Sequence, residues 1–401
     1  MSHRLPALMG ALVALIVASL VPIFVSGQAP APATKTTGAA NAATLRTPWG
    51  EPDFQGIWTD ERQTPLQRPA RYAGREFLTD QEIAALDEQR AAIPQRPRVR
   101  PGKGSEADVA GAYNGVFVSV KRTGRRTSLI VDPPDGRIPP MTPEARKRLD
   151  VLREYQLALL QNTEQCRNKE RSRAGWQYGP PSQRRAEVPP RYLTVNVNRA
   201  DGPEDRSLGE RCMAAQLPDF GGFRRIVQSP GSVSMFYDVG QGQGWQRTIA
   251  VTDRPHLPSH VRQWWGDSRG RWEGNTLVVD VTNFTPKTEY QGSRENLHLV
   301  ERWTRLDEKT LEYVVTIEDP TTWTKPWTVK VEMARQNEQA NRIYYEPRCH
   351  EGNYGLVGVL TGARAVEKAF AAGRGRHPAA VDIFSAGPTF FSEEDVDPLT
   401  R

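Results

Sequence analysis

The chain has 401 residues, with 53 basic and 47 acidic side chains, a formal charge of +6. Apolar residues make up 38%, charged residues 25%, and there are 33 glycines and 32 prolines. This composition excludes a coiled coil, a collagen, a polytopic membrane protein and a wholly disordered chain, and it favours many turns over long helices. The length allows one large domain or two small ones.

Residues 1–29 read as a signal peptide. Arg4 supplies a positive start, Ala7 to Val25 carries no charge, and small residues follow at Gly27 and Ala29. An uncleaved anchor is the alternative, but Pro22 and the small-residue exit favour cleavage. Residues 30–45 form a flexible linker of small polar residues. The expected location is periplasmic or secreted, with no membrane contact after cleavage. Export permits disulfides. Of three cysteines, Cys212 and Cys349 border ordered-looking segments and are expected to pair, leaving Cys166 free.

Residues 46–210 read as N-terminal strands, two helices and Pro/Arg-rich loops packed on a larger body. Phe54, Ile57 and Trp58 mark a short strand. Thr79 and Glu82 have capping-box spacing ahead of Ile83, Leu86 and Ala91, which predicts a helix ending before Pro94. Val116–Val120 suggests a strand, and RRTSLIVDPPDGRIPP a second strand closed by a turn. Thr142-Pro143 opens a second helix with an apolar stripe of Leu149, Leu152, Tyr155 and Leu159. The stretch from Arg90 to Arg199 is strongly basic, but no known nucleic-acid motif accompanies it, and no nucleic-acid partner is expected.

From Phe223 the pattern becomes strands separated by turns, within a body spanning 211–372 and followed by a tail at 373–401. Strands are expected at Arg225–Gln228, Val233–Asp238, Arg247–Thr252, Val261–Trp265, Thr276–Phe284, Leu297–Arg305, Thr310–Glu318, Trp327–Arg335 and Arg342–Pro347. Short connections such as Asp307–Lys309 suit antiparallel hairpins. The fold class is therefore mainly β: an antiparallel meander forming a barrel or sandwich, with a few peripheral helices and long Pro-rich loops. A last helix is expected over roughly Val357–Ala372.

Three clusters carry candidate chemistry. Alternation along Leu297–Arg305 puts Leu297, Leu299, Glu301, Trp303 and Arg305 on one face and His298 on the other. If the apolar face lines the interior, as Tyr313 does on the next strand, Glu301 is buried and needs a partner, Arg305 or an arginine from another strand. Such a carboxylate is a catalytic candidate or half of a structural ion pair. The run GDSRGRWEGN follows Trp264 and Trp265 and is read as a loop. Its Arg269 and Trp272 suit aromatic ligands, sugars or carboxylates. In CHEGNY, His350 and Glu351 could do acid–base work. Trp303 and Tyr313 complete the expected ligand-binding set. His256 and His260 are four apart, but Pro255 and Pro258 break the helix that would align them, so no metal and no cofactor are expected. No nucleophile elbow, Walker loop or dinucleotide fingerprint occurs.

Long motifs, including PDFQGIW, RRTSLIVDPPDGRIPP, DRSLGERC, GDSRGRWEGNTLVVDVTNF, NLHLVERW, DPTTWTKPWT and CHEGNYG, resemble a large family of uncharacterised exported bacterial proteins, abundant in acidobacteria and proteobacteria. The resemblance covers nearly all of the chain after the leader and implies no activity. A weaker likeness to lipocalin-like barrels, from Gly56-x-Trp58 ahead of a meander, implies a barrel holding a small apolar or aromatic molecule. Three functions follow in order: such binding; a cofactor-free lyase, isomerase or hydrolase using Glu301, His298 or His350; or an envelope or polysaccharide-interaction protein using the Trp/Arg run.

Overall fold

The computed structural model describes residues 45–91, 121–160, 183–187, 200–206, 211, 217–238, 244–337 and 354–375. All belong to one compact unit, Asn41–Arg401. The three cysteines, the expected strands at Val116–Val120 and Arg342–Pro347, and His350 and Glu351 lie outside the described residues.

The chain opens with β1 (Gly56–Thr59) and the short β2 (Arg62–Gln63), then α1 (Asp80–Ala91), β3 (Arg122–Thr123), β4 (Ile130–Asp132) and α2 (Pro143–Leu160). The helix starts follow the local chemistry. At α1, Thr79 Oγ1 accepts from the Glu82 amide at 3.2 Å, and Glu82 accepts from the Thr79 amide at 2.8 Å. At α2, Thr142 Oγ1 accepts from the Ala145 amide at 3.1 Å, and Pro143 needs no partner in the first turn. The α2 stripe buries Leu152 and Tyr155.

The body follows as β5 (Phe223–Ser229), β6 (Ser232–Asp238), β7 (Gly244–Val251), β8 (Asp267–Glu273), β9 (Thr276–Thr282), β10 (His298–Arg305), β11 (Thr310–Glu318) and β12 (Trp327–Arg335), then α3 (Tyr354–Ala371). Together β1 and β5–β12 make a closed nine-strand barrel, in the order β1-β5-β6-β7-β8-β9-β10-β11-β12, with β1 returning to β12 at Trp58↔Arg335. Beside Thr328 and Val329 of β12 lies β4, across a local register shift.

Two differences from the sequence expectation matter for the site. First, β7 and β8 are parallel. The 252–266 segment that joins them is the long crossover a parallel pair needs, and it contains the stretch expected as a strand at Val261–Trp265. There only Gln263 makes an isolated bridge, to Phe284. Second, the Trp/Arg run is no loop: Asp267–Glu273 is a strand, turned into β9 through Gly274 at φ 62°. Its charges survive on a strand because alternation sends Asp267, Arg269, Arg271 and Glu273 outward, while Ser268, Gly270 and Trp272 face in.

Inner faces supply the core. Ile226, Val233, Met235, Ile249, Leu277, Val279, Val281, Leu299, Val315, Ile317, Val329 and Met333 are all buried and belong to one cluster with Trp58, Trp303 and Trp327. At about 25 cal/mol per Å² of apolar surface withdrawn from water, this shared interior is the main force closing the barrel.

Candidate functional site

The site forms where alternation places polar residues on inner faces. On β10 the inward row is Leu299, Glu301, Trp303, and Glu301 is 0% exposed. On β7 the inward row is Trp245, Arg247, Ile249, and Arg247 is 3% exposed. The two side chains meet inside the barrel. Arg247 Nη1 donates to Glu301 Oε1 at 3.1 Å, and Nη2 lies 2.8 Å from Oε2. The second contact is electrostatic: neither atom satisfies hydrogen-bond geometry there. Tyr313 on β11 donates its hydroxyl to Glu301 Oε1 at 2.9 Å. Arg247 also donates through Nε to Ser268 Oγ at 3.0 Å and through Nη1 to the Tyr237 oxygen at 3.4 Å.

Electrostatics fix the protonation of this group. Burial works against the charge of Arg247, but the Glu301 carboxylate and the Tyr237 oxygen outweigh it and push its pKa up. Burial raises the Tyr313 phenol well above its ordinary value, and the charge of Glu301 adds to this. Tyr237 is raised for the same first reason. The centre is thus a neutralised ion pair flanked by two phenols that keep their protons.

Aromatic rings lead from this centre to one mouth. Trp303 stacks on Tyr313 at 4.1 Å. Tyr237 stacks on the partly buried Trp265 at 5.3 Å, and Trp265 meets Trp245 at 6.5 Å. The 217–222 segment enters at the same mouth. Its Phe220 lies 6.3 Å from Tyr313, and Arg224 of β5 donates to Gly221 O at 2.8 Å and to Asp219 O. At the opposite end Phe54 meets Trp272 edge-on at 5.3 Å, and Arg305 sits 5.3 Å from the centre of the Trp58 ring.

Of the residues expected from sequence, Glu301, Trp303 and Tyr313 come together, and Trp265 joins them through Tyr237 and Arg247. Arg305 shares the inner face but donates to Asp53 O and the 307–308 backbone, so Arg247 is the partner of Glu301. Trp272 faces the far end. Trp264 is half-buried on the crossover. Arg269 points outward and pairs with Asp267 at 3.2 Å. His298 is on the outer wall, so it does not converge with Glu301.

On that wall His298 belongs to a second cluster. Its Nε2 lies 3.0 Å from Asp280, and its Nδ1 contacts Glu318. His256, on the crossover, places Nε2 2.7 Å from Asp280 and Nδ1 3.0 Å from Asp267. Each imidazole has a carboxylate at both nitrogens, and the His298 ring donates to both of its partners when doubly protonated. The hydrogen bond that His298 donates to Asp280 chiefly pushes its pKa up to about 9, against burial and with help from Glu318. The same bond lowers Asp280. Among the described residues no group of three or more His, Cys, Asp or Glu has the geometry to hold a metal ion.

Sequence reasoning missed Arg247, Tyr237 and Ser268. The available signal was an arginine between Trp245 and Ile249 on an otherwise apolar alternating face. No protein-family model matches the chain, and no curated protein does.

Proposed function

We propose that the protein is an exported binding protein that takes a small aromatic or apolar molecule into its barrel. The observation that carries this is the ring path from partly exposed Trp265 through Tyr237 to the Arg247–Glu301–Tyr313–Trp303 centre. Stacked rings give apolar contact area, and a few fixed polar groups give orientation, which is the usual make-up of a small-molecule site. Export rests on the leader-like residues 1–29 and on the motif resemblance. Among the described residues no helix is long and apolar enough to cross a membrane.

Acid–base catalysis by Glu301 is the weaker reading. Its Oε1 accepts from Arg247 and Tyr313 and its Oε2 faces the Arg247 guanidinium at 2.8 Å, whereas a general base needs an oxygen open to the substrate proton. A flat polysaccharide platform is disfavoured because Trp272 turns into the barrel. The test is titration with the neutral fluorescent probe N-phenyl-1-naphthylamine. Saturable binding that Trp265→Ala weakens supports the reading. A signal without saturation, indifferent to Trp265→Ala and Trp303→Leu alike, overturns it.

A further inference from the structure

The mouth lined by Trp327 and Tyr290 has an unusual imbalance. Register sets Trp327 opposite Ile317, and Ile317 opposite Leu299, on one rung of the barrel. Tyr290 stacks on Trp327 at 6.1 Å, and Trp323 meets it edge-on at 5.6 Å. Burial raises the Tyr290 phenol above its ordinary value and the charge of Asp219 adds to this, while Arg224 lies 3.6 Å from that carboxylate. Here the Tyr290 hydroxyl, the Trp323 and Trp327 indole N–H groups and Arg224 Nε are all buried without a hydrogen-bond partner, and deeper in the barrel so is the N–H of Trp303. The residues bearing them are between 0% and 8% exposed. The unpartnered acceptors nearby are Asp219 Oδ2 and Glu301 Oε2, and each already faces an arginine, at 3.6 Å and 2.8 Å. Among these buried side chains the unpartnered donors outnumber the unpartnered acceptors, five to two.

A buried donor without a partner costs roughly 1–3 kcal/mol, which native proteins avoid unless another molecule completes the bond. Resting on the binding function proposed above, we infer that the ligand is an uncharged aromatic carbonyl compound, whose ring stacks on the mouth and whose oxygen accepts from Tyr290 and Trp327. A carboxylate would offer the same oxygens, but its charge would be buried where the nearby arginine, Arg224, already faces Asp219 at 3.6 Å. A hydrocarbon would leave every donor unmet.

Three probes of one shape separate these cases by equilibrium dialysis: 2-acetylnaphthalene, 2-isopropylnaphthalene and 2-naphthoate. The ketone is expected to bind about tenfold tighter than the hydrocarbon, the size of one well-made bond to a buried donor. Tyr290→Phe should erase most of that preference and leave the hydrocarbon's affinity within about twofold. Equal binding of ketone and hydrocarbon overturns the carbonyl inference while the binding function stands. Tightest binding of naphthoate replaces the neutral ligand with an anion. Binding of none of the three overturns both. A second readout needs no ligand: the unliganded Tyr290→Phe protein should melt at the same temperature or higher, because it loses an unmet donor. A clear fall in melting temperature would show the hydroxyl already bonded and end the inference.

Discussion

Arg247 on β7 and Glu301 on β10 meet across the interior of the barrel, Nη2 2.8 Å from Oε2, with β8 and β9 between their strands in the wall. Both charges are out of water, and Ser268, Tyr237 and Tyr313 take up further hydrogen-bonding capacity around them. A pair of this kind ties opposite walls together, and its effect on stability is asymmetric. Removing one partner strands a charge, whereas removing both does not.

Glu301→Gln and Arg247→Met should therefore each destabilise the fold by about 3–5 kcal/mol, and the Glu301→Gln/Arg247→Met double variant by clearly less than their sum. Urea unfolding of the four proteins measures this. Near-neutral single variants would show that the two charges are solvated and that β10 runs in another register.

Tyr313→Phe removes the phenol that donates to Glu301 but keeps the ring that stacks on Trp303. The expected loss is about 1.5–3 kcal/mol, as for a bond to a charged group. Tyr313→Leu should cost more, because the stacking is lost as well. Equal losses for the two variants would mean that the hydrogen bond contributes nothing.

The outer cluster predicts a pH dependence. His298 has its folded-state pKa raised to about 9. The stability it contributes is complete below the ordinary histidine value near 6.5 and is lost as pH rises through 9. Asp280 is lowered, so its contribution is present above the ordinary carboxylate range and is lost as pH falls through its folded value. Stability should thus decline between about pH 6.5 and 9, and His298→Gln should flatten that slope. An identical slope in His298→Gln would remove the ring from this role.

Gly266 sits at φ 66° between Trp265 and β8, and an added Cβ would lie 2.6 Å from Thr282 O. Gly266→Ala pays about 1–2 kcal/mol for the left-handed backbone, and the carbonyl clash adds to it. Because the same turn holds Trp265 against Tyr237, near-ultraviolet circular dichroism should change along with stability. Unchanged spectra and stability would mean the crossover is held differently.

The legible parts of the sequence are those written in short-range patterns. Thr79 with Glu82 and Thr142 with Pro143 mark helix starts because capping involves residues three or four apart. Alternation along β10 assigns Glu301 to the inside because strand sides repeat every two residues. What alternation cannot give is the partner. Arg247 is 54 residues from Glu301, and only closure of the barrel brings them together. Strand β8 was obscured because Asp267, Arg269, Arg271 and Glu273 resemble a polar loop until their outward positions are known. The His256–Asp280–His298 cluster draws on three separate segments, so no local spacing announces it.

The central claim, that a small molecule occupies this barrel, is tested most directly by native mass spectrometry of the full-length protein exported to a bacterial periplasm. The account predicts a polypeptide mass carrying one additional small aromatic molecule, released on denaturation and absent from Trp265→Ala/Trp303→Leu. Bare polypeptide from the wild type, together with no uptake of neutral aromatic ketones added afterwards, would contradict it.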